Sequence, residues 1–170
     1  MTAAALAAAL AAVLIAAAGG RAHAGQPPSI SPKANYIERC GGCHGVDGRS
    51  VAALVPDLKH TAGYFLCDEE ARAYVARLPN VAFSQINDAD LAAMLNFVVL
   101  DLGARDGPPQ PGAAAPRPYT AADVGRLRRT ALTIPDLKAY RQRIVGRLVA
   151  RCAAPDRLLT DYQGPPTPSP

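Results

Sequence analysis

The sequence predicts an all-α protein, and three observations predict it. From Asp88 to Leu102 the apolar residues Leu91, Met94, Leu95, Val98, Val99 and Leu102 recur at i, i+3, i+4, i+7, i+8 and i+11, one continuous stripe at helical period. Helix-start chemistry appears twice, as Asn87 with Asp90 three residues on and as Thr120 with Asp123 three residues on. No strand pattern flanks the tight cysteine motif in the first third of the chain. The 170 residues suffice for one small domain with added segments, not for two full cores. Apolar residues make up 49%, inflated by alanine, but aromatics only 5%, with no tryptophan. Such a helical core is thin, and a flat, apolar buried cofactor would thicken it.

The elements follow in order. Residues 1–24 read as a secretory signal: an uncharged apolar run from Ala3 to Ala18, a break at Gly19-Gly20, then Ala22-His23-Ala24 as a small-x-small cleavage site. The segment lacks a Lys or Arg before the apolar run. The run is short of the roughly 20 residues that span a bilayer, so cleavage near Gly25 is expected rather than anchoring, with no transmembrane span left after it. Export places the protein in the periplasm, where thiols tend to oxidise. Residues 25–33 are a Pro/Ser/Gly lead-in, and a helix follows over Ala34 to Arg39. Residues 45–63 read as a loop. Residues 68–77 read as a helix with acidic residues in its first turn, closed by Pro79. The apolar-striped helix of Asp88 to Leu102 ends at Gly103 and completes a domain over 25–102.

Residues 103–118 form a Pro/Gly/Ala linker expected to have no fixed packing. A helical extension covers 119–152: one helix from Thr120 to about Thr130, an interruption at Pro135, and a second helix over Asp136 to Arg151. Residues 153–170 are expected to be a disordered tail. Charge divides the same way. Residues 25–110 hold seven Lys/Arg against ten Asp/Glu, net −3, and residues 111–170 hold ten against four, net +6. A basic run is commonly a solvated face. Its functional reading is docking to an acidic partner or an anionic membrane. No basic-aromatic interleaving points to nucleic acid.

The chemistry lies in Cys40-Gly41-Gly42-Cys43-His44. In C-x-x-C-H two thiols can add to the vinyl groups of one haem, and the next histidine reaches the iron from the same face. A redox dithiol would want a strand-to-helix setting, and a zinc site a second Cys or His pair at matching spacing. His60 and Cys67 are poorly spaced for that. Cys67 and Cys152 are left as a possible disulfide pair.

The stretch Ala34-Asn-Tyr-Ile-Glu-Arg-Cys-Gly-Gly-Cys-His-Gly-Val-Asp-Gly resembles the haem segment of class I cytochromes c, with Tyr36 as the aromatic residue four positions before the first cysteine. Pro56-Asp57-Leu58, twelve residues after His44, resembles the family's Pro-x-Leu, and Leu91 to Val99 resembles its last helix. The resemblance covers about Pro32 to Leu102. It implies a cytochrome c-like helical domain around one covalent haem c per chain. Cys40 and Cys43 would be attached to it, His44 would be the proximal iron ligand, and Pro56 would accept a hydrogen bond from the histidine's other nitrogen. It also implies that Phe97 meets the neighbourhood of Tyr36. The extension from Arg117 onward resembles one found in a subset of bacterial cytochromes of this kind.

The pattern departs from the family at Leu78-Pro79, where a Met-Pro pair usually supplies the distal ligand. Leucine has no donor atom. His60, Met94 and Cys67 are the substitutes, and an open sixth site is the other alternative. Asn80, Ser84 and Gln85 suit turns or caps better. The leading expectation is a periplasmic electron carrier between a dehydrogenase and a downstream acceptor, docking a redox protein partner. The alternative is a haem protein with an open distal site for CO or NO. An enzyme such as a peroxidase is not expected, because there is one haem motif and no evident distal His/Arg pair. A subunit role, with the basic extension as its interface, is compatible with electron transfer.

Overall fold

The computed structural model describes residues 30–50, 55–105 and 115–160. Every regular element among them is helical, so the protein is all-α there. The signal segment and the far end of the tail lie outside the described residues. Among the described residues no helix is long and apolar enough to cross a membrane.

Helix α1 (Pro32–Arg39) starts two residues earlier than the sequence suggests. Ser31 caps it by accepting from the Ala34 amide, and Pro32 sits in the first turn, where its missing N–H costs nothing. Helix α2 (Gly41–His44) is a single turn that follows directly. A 3₁₀ helix (Ala62–Leu66) leads into α3 (Glu69–Arg77), capped by Asp68. Pro79 does not simply close α3. It opens the short helix α4 (Pro79–Ala82), where its fixed φ suits the first turn. Helix α5 (Asp88–Asn96) has Asn87 as its cap, and the stripe continues as a π-helical segment, Phe97–Leu102.

The π segment closes on a backbone contact with the 3₁₀ helix. The Gly103 amide donates five residues back to Val98 O, and Gly103 O accepts from the Gly63 amide at 2.8 Å. A Cβ at Gly63 would lie 2.7 Å from Gly103 O, and one at Gly103 would lie 2.5 Å from Ala62 Cβ. Glycines at both positions let the 3₁₀ helix and the end of the stripe touch through their backbones.

The extension forms α6 (Ala121–Arg128) and α7 (Leu137–Cys152). Thr120 and Asp123 make the reciprocal capping box that their spacing suggests. Asp136 caps α7. Two apolar cores result. The first joins Tyr36 of α1, the α5 stripe, and Tyr119, Val124 and Leu127 of the extension. The second joins Tyr64, Phe65 and Tyr74 to Ile144, Val145 and Leu148 of α7.

Two expectations need correction. The linker does not lack packing at its described ends. Gly103 is buried, and the carbonyls of Arg117 and Pro118 accept from the buried Arg72 side chain. The tail is also ordered at its start: residues 156–159 form a 3₁₀ helix, with Leu158 fully buried in the second core. Burial of Leu158 supplies apolar stabilisation that offsets part of the entropy lost in ordering this short segment.

Candidate functional site

Helix α2 sets the geometry of the cysteine motif. The Cys43 and His44 amides both donate to Cys40 O, at 3.2 and 2.9 Å. Cys40, Cys43 and His44 therefore stand at i, i+3 and i+4 on one side of a single turn. The turn stops at Gly45, whose φ is +72°, and a Cβ there would sit against Arg49 O. The Tyr36 hydroxyl, fully buried, donates to Gly45 O at 2.6 Å and locks the exit of the motif onto α1. Burial, with Cys40 and Asp47 nearby, pushes that phenol up to about 12, so it stays a donor. The Tyr36 and Phe97 rings lie 5.8 Å apart, joining α1 to the π segment.

His44 Nδ1 lies 2.9 Å from Pro56 O. A carbonyl can only accept, so Nδ1 carries the proton and Nε2 keeps its lone pair. Burial lowers the imidazole's basicity, while the Pro56 carbonyl and Asp57 act the other way. A neutral ring with one nitrogen fixed and the other free as a base is the form a metal binds. Cys40 and Cys43 are both free thiols, Cys40 half-buried and Cys43 exposed. Burial raises the Cys40 thiol, partly offset by Arg39.

Cys40 and His44 line a cavity of about 340 Å³. This falls in the range of about 300–1,000 Å³ common for small-molecule sites. The cavity lies where the two cores meet. Met94, Leu95, Val98 and Val99 wall it from the first, Phe65 and Tyr74 from the second, and Leu78 joins them. Cys40 and His44 thus form part of a mostly apolar wall, and the exposed Cys43 is not in it. Among the described residues no three His, Cys, Asp or Glu side chains gather as a metal-binding group.

The distal candidates separate. Cys67 is bonded to Cys152, S–S 2.05 Å, so its thiolate is not available to a metal, and the pair left open by the sequence is a disulfide. His60 stands in a left-handed turn, φ 58°, and is not part of the cavity lining. Met94 is in the lining, 2% exposed, on the apolar stripe. Leu78 is in the lining as well.

Sequence reasoning missed the extension's share of the wall. Leu137, Lys138 and Arg141 of α7 line the same cavity. A signal existed: Leu137, Arg141, Ile144, Leu148 and Cys152 recur at i, i+4, i+7, i+11 and i+15, which places Arg141 on an apolar face. It also missed the fastening of the extension. Arg72, 2% exposed, donates to Asp123 Oδ2 at 2.9 Å and to Pro118 O, and lies over the Tyr119 ring, whose hydroxyl returns a bond to Arg72 O. Arg128 donates to the carbonyls of Ala82, Ser84 and Ile86 and to Asp88. Arg147 pairs with Asp68 and Glu70.

No family model, curated protein or solved structure matches this chain.

Proposed function

We propose that this chain is an exported c-type haem protein, similar to class I cytochromes c, that carries one electron between redox proteins in the periplasm. One observation carries the reading. The histidine of a C-x-x-C-H turn donates from Nδ1 to a proline carbonyl twelve residues on, while its ring and Cys40 form part of the wall of an apolar cavity. Cys40 and Cys43 would hold the haem covalently, and His44 Nε2 would bind its iron. Bound there, the haem supplies a one-electron ferric/ferrous couple. The chain's own work is to hold and orient. Pro56 fixes the imidazole plane, Tyr36 fixes the turn behind it, and the apolar walls would face the ring.

A second reading, binding of a small ligand such as CO or NO at an open sixth position, draws on Leu78, which lines the cavity and has no donor atom. Of the distal candidates His60, Met94 and Cys67, Met94 lines the cavity. Absorption spectra of the ferrous, haem-loaded protein with and without CO separate the two. A low-spin spectrum unmoved by CO supports the carrier, and CO binding gained in Met94→Leu identifies its sixth ligand. A high-spin spectrum shifted by CO replaces the carrier with the ligand-binding reading. Purification without bound haem, after production with c-type maturation, contradicts both.

A further inference from the structure

We propose that Lys138 and Arg141, side by side in the cavity wall on α7, bind the carboxylates of the haem held there, so that the extension sets the cofactor's potential. The inference rests on the haem reading above. Haem is an apolar ring carrying two propionates, each ionised at neutral pH. A carboxylate taken into an apolar site needs a cation or several donors beside it. Among the described residues, the charged side chains of the lining apart from His44 are Asp57, Lys138 and Arg141. Asp57 Oδ1 accepts from the Ser50 amide at 2.6 Å and would repel a carboxylate. The attraction therefore lies with the extension.

Spacing and anchorage both favour this role. Residues 138 and 141 are three apart on α7, so their side chains share a face. Arg141 is 7% exposed, and its Nη1 donates to Leu158 O at 3.4 Å, which orients the guanidinium. A guanidinium presents its N–H donors in a fixed planar fork that matches a carboxylate. The segment is fixed at both ends. Upstream, the Leu132 amide donates to Arg77 O at 2.8 Å, and downstream Cys152 is bonded to Cys67. The pair thus stands in the wall by construction of the fold rather than by chance of a long side chain.

Ferric haem carries one more positive charge than ferrous haem. Cations that neutralise the propionates favour the ferrous form, and their removal favours the ferric form. The test is spectroelectrochemical titration at neutral pH of the mature, haem-loaded protein and of K138Q, R141Q, K138R, R141K and R151Q. At a fixed ambient potential, K138Q and R141Q should each shift the reduced-to-oxidised ratio about threefold to tenfold towards oxidised, tenfold being about 59 mV for one electron. The charge-preserving K138R and R141K should stay near wild type, as should R151Q, whose charge is exposed and screened. If R141Q does not fold, the half-buried Lys138 carries the test through K138Q and K138R.

A K138Q potential equal to wild type overturns the proposal. So does weaker azide binding by ferric K138Q at unchanged potential, because the pair would then serve an exogenous anion. A wild-type chain without covalent haem after acid-acetone extraction overturns the haem reading itself, a failure distinct from a haem-bearing protein whose potential ignores Lys138.

Discussion

Residues 30–105 and 115–160 are held together by different kinds of bond. In the first region the site is fixed over short spans. Tyr36 reaches Gly45 nine residues away, and His44 reaches Pro56 twelve residues away. The extension is fastened over long ones. Arg72 and Asp123 are 51 residues apart, Arg128 and Ala82 are 46 apart, and Cys67 and Cys152 are 85 apart. The histidine and thiols are therefore placed by local chain geometry, whereas part of the cavity wall is delivered from far away by charge and a disulfide. The two regions should come apart under different perturbations, and the predictions below exploit that, from the largest effect to the smallest.

Removing the disulfide as Cys67→Ser/Cys152→Ser should destabilise most. The bridge closes 85 residues, and the chain-entropy account of such a loop gives about 4–5 kcal/mol. Urea unfolding should show the loss, and free Cys40 and Cys43 should still accept haem. Next, Arg72→Ala removes the donor to two backbone carbonyls and one of three arginines on Asp123, which keeps Arg117 and Arg126. Leaving the carbonyls without their donor should cost about 1–3 kcal/mol, and hydrogen exchange should rise first in α6.

Tyr36→Phe leaves Gly45 O without its buried donor. It should cost about 1–3 kcal/mol and, unlike the first two, weaken haem retention by the motif.

The Arg72 clamp also has a pH signature. Burial alone would raise the Asp123 carboxyl, but bonds from the Arg72 side chain and from the Thr120 amide and hydroxyl hold it well below the usual carboxylate range. A carboxyl depressed in the folded state stabilises fully above its unfolded value of about 3.9 and loses that contribution as pH falls through the folded value. The stability gap between wild type and Asp123→Asn should therefore be widest near neutrality and should narrow as pH drops below about 4. A gap independent of pH would refute the clamp.

The smallest effect is at Ala153, which ends α7 in a left-handed conformation at φ 50°. Ala153→Gly should stabilise by about 0.5–1 kcal/mol in thermal melts, because glycine adopts that conformation without strain.

How much of this was legible follows the same division. The α5 stripe was readable because six apolar residues mark one face and Asn87 marks its start. Its π-helical end was not, because it depends on Gly103 meeting Gly63 forty residues away. The short spans of the site were readable from the C-x-x-C-H spacing of Cys40, Cys43 and His44 and, for Pro56, from the resemblance to class I cytochromes c. The extension read as a solvated basic face, yet Arg128 and Arg147 turn to partners on the first region, and α7 completes the cavity. Charge composition does not reveal which partner an arginine finds. The Cys67–Cys152 bridge stayed open in the sequence because a distal thiolate used the same residue. Leu158 was hidden by the Pro-rich residues that follow it.

The central claim is that Cys40, Cys43 and His44 hold a covalent haem against this cavity. The most direct measurement is the intact mass of the exported chain, produced with c-type haem maturation and extracted with acid-acetone. The account predicts the mature chain plus one haem, and no added mass in Cys40→Ala/Cys43→Ala. A wild-type chain at its bare mature mass would contradict it.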